Sequence, residues 1–184
     1  MDAQVDEALA TLPGGASVND LIVAAVQQAL VSHPELNQTF DGVRLTAVQG
    51  QPVGIAVATD ANVVLAPVVQ TAADAGLEEL ASHSRELIGR ARGGQMAVSD
   101  QVPAAITVSN LGMYGVTAFT AMVTPPQVMV LSVGTMQRIP VFNEANEVVA
   151  RSVITLTLGS DHRVVNGAQA ARFLKAVVAG LEQN

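Results

Sequence analysis

The stretch Ser160–Leu174 reads SDHRVVNGAQAARFL. An acid, a histidine, a base and an amide fall within seven residues, immediately before a run with helical apolar spacing. VVARSVITLTLGS, Val148–Ser160, precedes it and reads as a β-strand ending at Ser160. Ala170, Phe173, Leu174, Val177, Val178 and Leu181 recur at helical intervals, so a helix over about Ala168–Glu182 is expected, with those residues inward. His162 thus sits where a strand gives way to a glycine-bounded helix start, a place from which side chains often face a cleft. The plain alternative is a hydrogen-bonded strand-end histidine. By the same plain reading Asn166 caps the last helix and Asp161–Arg163 is an ion pair pinning the loop.

Working back from that stretch, two more strands emerge. VMVLSVGTMQ covers 128–137 and AAITVSN covers 104–110. Between them lies LGMYGVTAFTAMVTPPQ, a Gly- and Pro-rich loop. Ser109 stands at the end of the earlier strand, where a serine is most simply a turn residue. Further upstream, Leu77, Leu80, Leu87, Ile88 and Ala91 mark one face of a helix from about Leu77 to Arg92, closed by Gly93-Gly94. GIAVAT and NVVLAPVV, separated by Asp60-Ala61, read as a hairpin with Pro67 at an edge or strand end. SVNDLIVAAVQQALV is a helix apolar nearly all round, hence internal. Ser17 is its N-cap, Asp20 completes a capping box, and Pro34 marks its stop. Residues Ala3 to Leu12 read as a short helix ending at Pro13-Gly14-Gly15. Strands and helices mix without strict βαβ alternation, so a mixed sheet with helices on one face is expected over a single domain, 1–184.

Composition narrows the chemistry. Of 184 residues, 49% are apolar and only 3% aromatic, so Val, Ala and Leu must fill the core. The formal charge is −7, with nine basic residues spread thinly, which argues against nucleic acid or an acidic membrane surface as partner. No apolar run approaches membrane-spanning length, and DAQVDEA is no signal peptide, so a cytoplasmic location is expected. The absence of cysteine excludes disulfides and thiolate nucleophiles. Three scattered histidines offer no metal-ligand spacing, so no metal site is expected. His33 and His83 read as plain surface residues. There is no GxSxG elbow, and GMYG has no lysine beside it to hold phosphate.

Taken together, five blocks in order carry a resemblance: SVNDLIVAAVQQAL with HPELN, GIAVAT with APVV, ITVSNLGMYG, TPPQVMVLSVG, and SDHRVVNGAQAARFL. The whole chain resembles the catalytic domain of the dihydrolipoyl acyltransferases of 2-oxoacid dehydrogenase complexes. The resemblance implies an α/β, chloramphenicol acetyltransferase-like two-layer sandwich and a homotrimer with its active site at the subunit interface. It implies acetyl-CoA (acyl-CoA) as co-substrate, with no covalently bound cofactor. His162 would be the general base on an acceptor thiol or hydroxyl. Ser109 would donate to the oxyanion, from a different subunit, and Asn166, where many relatives carry Asp, would be the third catalytic-site residue, hydrogen-bonding without a counter-charge.

Relative to the family the match is N-terminally short, which leaves the CoA contacts open. It ends on the polar LEQN, from which a free trimer rather than a cage is expected. With no lipoyl domain in the chain, a stand-alone enzyme is expected. O-acetylation of a tetronate-like small-molecule hydroxyl, as in polyketide biosynthesis, ranks ahead of S-acetylation of dihydrolipoamide. A non-catalytic scaffold of the same fold is the third reading.

Overall fold

Strand pairing, rather than helix packing, fixes where the chemistry-bearing residues fall. The structure, a computed structural model, describes residues 1–61, 63–72 and 74–182. In chain order the elements are β1 (Asp2–Gln4), α1 (Asp6–Ala10), α2 (Val18–Ser32), β2 (Gln38–Phe40), β3 (Leu45–Ala47), β4 (Val53–Ile55), β5 (Val57–Ala58), β6 (Val64–Leu65) and β7 (Val68–Val69). Then come α3 (Leu77–Arg92), β8 (Ile106–Asn110), β9 (Met129–Phe142), β10 (Val148–Ser160) and α4 (Gly167–Glu182). The main sheet has the order β1-β10-β9-β8-β4-β7. β4, β8 and β9 run parallel, and the remaining pairings are antiparallel, so the sheet is mixed as expected.

Alternation along the strands sorts their side chains into two faces. Ile106, Val108, Met129, Leu131, Val133, Ile154 and Leu156 are buried in one core with residues of α2, α3 and α4. Phe173, Val177, Val178 and Leu181 carry α4 into that core, each worth about 1.5–3 kcal/mol of apolar burial. α2 lies against both α4 and α3, which is why its apolar surface nearly encircles it. Its Ser17–Asp20 capping box is present, with Ser17 N–H donating to the Asp20 carboxylate at 2.9 Å.

The opposite face carries Thr107, Ser109, Val130, Ser132 and Gly134. Their mostly small side chains let the segment after β8 lie directly on the sheet. Ala121 N–H donates to Ser132 Oγ (2.9 Å), and Thr135 N–H to the Val116 carbonyl (2.7 Å). A Cβ on Gly134 would run into the Thr117 carbonyl, so only glycine permits this approach.

Two readings of the sequence are corrected. The expected Ala3–Leu12 helix begins instead as β1, and only Asp6–Ala10 is helical. Ala3 and Val5 are fully buried, and pairing of Asp2–Gln4 with Val153–Thr155 wins over local helix propensity. β9 also continues five residues past Gln137, through Pro140, to Phe142. Beyond Val133 it pairs only with β10, so one side of its backbone is unladdered and accommodates a residue without an N–H. The expected Gly54–Val69 hairpin forms as two short pairs, β4 with β7 and β5 with β6; Asn62 lies outside the described residues. The tail residues Gln183 and Asn184 also lie outside them. Among the described residues, no helix is long and apolar enough to cross a membrane, and no cluster of His, Asp and Glu could hold a metal ion.

Candidate active site

The DHR stretch forms a turn between β10 and α4. Asp161 N–H extends the sheet by one bond, to the Val128 carbonyl (2.9 Å), and the Asp161 carbonyl accepts from Val164 and Val165 N–H (both 2.9 Å). Val165, fully buried, anchors the far side of the turn. Arg163 folds back on Asp161. Its Nε lies 3.0 and 3.2 Å from the two carboxylate oxygens and its Nη2 is 2.7 Å from Oδ2. The side-chain hydrogen bonds from Arg163, then its backbone N–H, lower the Asp161 pKa to about 2. The expected ion pair therefore forms. Its guanidinium also lies over the Phe40 ring, 4.8 Å from the centroid.

His162 sits in the middle of this turn, exposed, and its ring has no hydrogen-bond or ion-pair partner among the described residues. It is therefore not the satisfied strand-end histidine of the plain reading. Asn166 does what a plain cap does. Its Oδ1 accepts from Gln169 N–H (3.0 Å), and Gln169 Oε1 accepts from Asn166 N–H (3.1 Å), a reciprocal capping pair. His33 is half-buried rather than plainly exposed, 6.0 Å from the Phe173 ring and 3.5 Å from Glu35.

Ser109 lies on β8 opposite Ser132 of β9, half-buried on the face away from the helices. Its hydroxyl has no partner among the described residues. It borders two cavities that also share Ala56 and Val64. One is about 240 Å³, with Asn19, Asn110, Tyr114 and Arg92 in its wall. The other is about 380 Å³, walled by Thr107, Gln127, Met122 and Val130. Mostly apolar space thus borders Ser109 in two adjoining cavities. Sequence reasoning missed Asn19 and Asn110, joined by Asn110 Nδ2–H donating to Asn19 Oδ1 at 3.4 Å. It also missed the Thr107–Gln127 hydrogen bond at 2.7 Å. These pairs are 91 and 20 residues apart in the chain, and no local pattern marks them.

The structure does not bring His162 and Ser109 together within one chain. Asp161, Val128 and Ala105 form one row across the sheet through successive backbone bonds. Ser109 is four residues along β8 from Ala105. At about 3.3 Å per residue and 4.8 Å per strand, Ser109 and Asp161 are roughly 16 Å apart. His162 lies beyond Asp161. Each chain therefore holds an accessible imidazole and, elsewhere, an unpartnered hydroxyl in a cavity.

The family model for the 2-oxoacid dehydrogenases acyltransferase (catalytic domain) matches residues 2–184. The dihydrolipoyllysine-residue acetyltransferase component of the Zymomonas mobilis pyruvate dehydrogenase complex is 33% identical over 95% of the chain. The corresponding mitochondrial component of Schizosaccharomyces pombe is 36% identical over 90%. The chain spans only 39% and 35% of the length of these two relatives. Dihydrolipoamide acetyltransferase of Azotobacter vinelandii superposes with a TM-score of 0.89 at 29% identity, covering all of this chain and 79% of that one. That structure was determined to examine the role of a serine, a histidine and an asparagine in the catalytic mechanism. Chloramphenicol acetyltransferase shares the fold, with a TM-score of 0.64 at 13% identity over 98% of this chain and 86% of its own. A family match along the whole length, borne by the same fold, makes the chain a member of the 2-oxoacid dehydrogenase acyltransferase family, corresponding to its catalytic domain.

Proposed function

We propose that this chain catalyses direct acyl transfer between coenzyme A and dihydrolipoamide, in active sites shared between protomers of a trimer. The observation that carries the reading is the separation just described: an unpartnered imidazole and an unpartnered hydroxyl, too far apart to cooperate within one chain. A ring of protomers brings the His162 of one chain to the Ser109 cavity of the next. The Azotobacter relative supports the assignment. The histidine and asparagine named for its mechanism are four residues apart, as are His162 and Asn166.

His162 takes the proton from the dihydrolipoamide thiol. The sulfur attacks the thioester carbonyl of acyl-CoA and a C–S bond forms. Ser109 donates its hydroxyl hydrogen to the oxyanion of the tetrahedral intermediate. The intermediate collapses, the C–S bond to CoA breaks, and His162 returns its proton to the departing CoA sulfur. No acyl-enzyme is required, which agrees with a chain that has no cysteine. Asn166 holds the start of α4 behind the turn; its amide needs no counter-charge, so an asparagine serves where an aspartate would.

The acceptor ranking from sequence reverses. The Zymomonas, Schizosaccharomyces and Azotobacter relatives are named for acetyl transfer to dihydrolipoyl groups, and none of these three supports a polyketide role. The thiol therefore stands ahead of the tetronate-like hydroxyl. The test offers acetyl-CoA with dihydrolipoamide or with a small hydroxylated acceptor and detects the product by mass. Turnover only with the hydroxyl would restore the original ranking. No turnover, no CoA binding and indifference to His162→Ala would leave a scaffold.

A further inference from the structure

The His162 ring has no hydrogen-bond, ion-pair or ring partner among the described residues, so its aim depends on what fixes the turn beneath it. The turn is held at Asp161 by the Val128 carbonyl and at Val165 by burial. His162 and Arg163 lie between those anchors, both exposed. Arg163 is tied back to Asp161 by its three guanidinium contacts, and its guanidinium carbon lies over the Phe40 ring, 4.8 Å from the centroid. Phe40 is itself fixed, because its N–H donates to the Pro126 carbonyl at 2.7 Å. Pro126 is two residues from the Val128 that receives the Asp161 N–H. Segment 124–128, Phe40, Arg163 and Asp161 therefore form a closed circuit around the base of the turn. Thr124, Pro125, Pro126 and Gln127 of that segment also wall one Ser109 cavity.

We propose that Phe40 is a positioning residue for acyl transfer, acting through Arg163 to hold the His162 imidazole in one orientation. This rests on the reading of His162 as the base. An aromatic face offers the guanidinium an attraction that an aliphatic side chain of similar volume does not. Arginine is the only cation whose planar fork both stacks on the ring and grips the carboxylate at two points. A base aimed about an ångström wrong loses rate without losing substrate, since the imidazole contributes little to ground-state binding.

The experiment compares Phe40→Leu, Phe40→Trp, Arg163→Lys and the double variant Phe40→Leu/Arg163→Lys. Two readouts are taken: steady-state kinetics with acetyl-CoA and dihydrolipoamide, and the His162 ring resonances, assigned by their loss in His162→Ala. Phe40→Leu and Arg163→Lys should each lower kcat roughly 10- to 100-fold with KM within about twofold. The double variant should be little worse than either, because both break one circuit. Phe40→Trp should recover most of kcat. In Phe40→Leu the His162 ring signal should broaden or split while those of His33 and His83 stay unchanged.

Wild-type kcat in Phe40→Leu with an unaltered His162 signal would overturn the proposal. So would equal, additive losses in which tryptophan rescues nothing. The ring signal does not require turnover. A wild-type protein that is inactive yet shows the resonance change in Phe40→Leu would refute the acyl-transfer reading and leave the circuit standing.

Discussion

Ser109 and His162 are held in place by different means. Ser109 belongs to a strand laddered on both sides, to β4 and to β9, so its position is set by backbone hydrogen bonds. His162 belongs to a five-residue turn that main-chain bonds close at Asp161 and that side chains complete: a carboxylate, a guanidinium, an aromatic ring and a buried valine. The hydroxyl is therefore robust to the identity of its neighbours' side chains, and the imidazole is not. A donor aimed at a developing charge gains from a rigid mount. In the proposed reaction, a base that meets substrate at the seam between two protomers must instead project beyond its own fold.

The strongest way to break the comparison is to remove each group in turn. His162→Ala should lower kcat by at least ~100-fold, and Ser109→Ala by ~10²- to 10³-fold with little change in KM, both read from steady-state rates. Mixing the two inactive variants sharpens it. If each site takes its histidine from one protomer and its serine from the next, equal mixing and reassembly should restore roughly one quarter of wild-type activity. Activity that stays at the level of the separate variants would return both residues to a single chain.

Smaller effects probe the two mounts. Gly134→Ala pushes a methyl group into the Thr117 carbonyl and should cost about 1–3 kcal/mol in denaturant unfolding, because the covering segment must move. Asn166→Ala should cost about 1 kcal/mol through the lost cap, and Asn166→Asp, which keeps an accepting oxygen, much less. The weakest effect is on pH dependence. The carboxyl pKa values of Asp161 and Asp100 are both lowered to about 2, first of all by side-chain hydrogen bonds from Arg163 and Arg90 respectively. Folded pKa values below the unfolded ones mean that each pair stabilises the fold above about pH 4. That contribution fades as the pH falls toward 2. Asp161→Asn and Asp100→Asn should therefore flatten the acid limb of the stability profile between pH 4 and 2.

The divide between legible and hidden features follows the same line. Helices α2, α3 and α4, the strand carrying Ser109 and the turn carrying His162 were readable because their signals are local: apolar spacing, a capping box, a glycine pair. The route from Phe40 to Arg163 was not, because nothing near HPELNQTFDG announces a partner more than a hundred residues away. β1 was misread for the same reason. Its three residues look helical in isolation, and only the edge of β10 makes them a strand. Membership of the family was legible from ordered blocks. The choice of acceptor was not, because no residue quoted for the resemblance separates a thiol from a hydroxyl.

The glycine, serine and threonine surface beneath residues 116–127 has a consequence for how this protein can change over generations. Within β8 and β9, alternate positions live under different rules. Substitutions at Val108 or Leu131 can be absorbed by shifting soft aliphatic neighbours, whereas at Gly134 or Ser132 even one added methylene displaces a covering segment that also walls a cavity beside Ser109. A complete substitution scan of these strands should read as a two-beat rhythm, tolerant of aliphatic exchange on one beat and closed to any gain in size on the next.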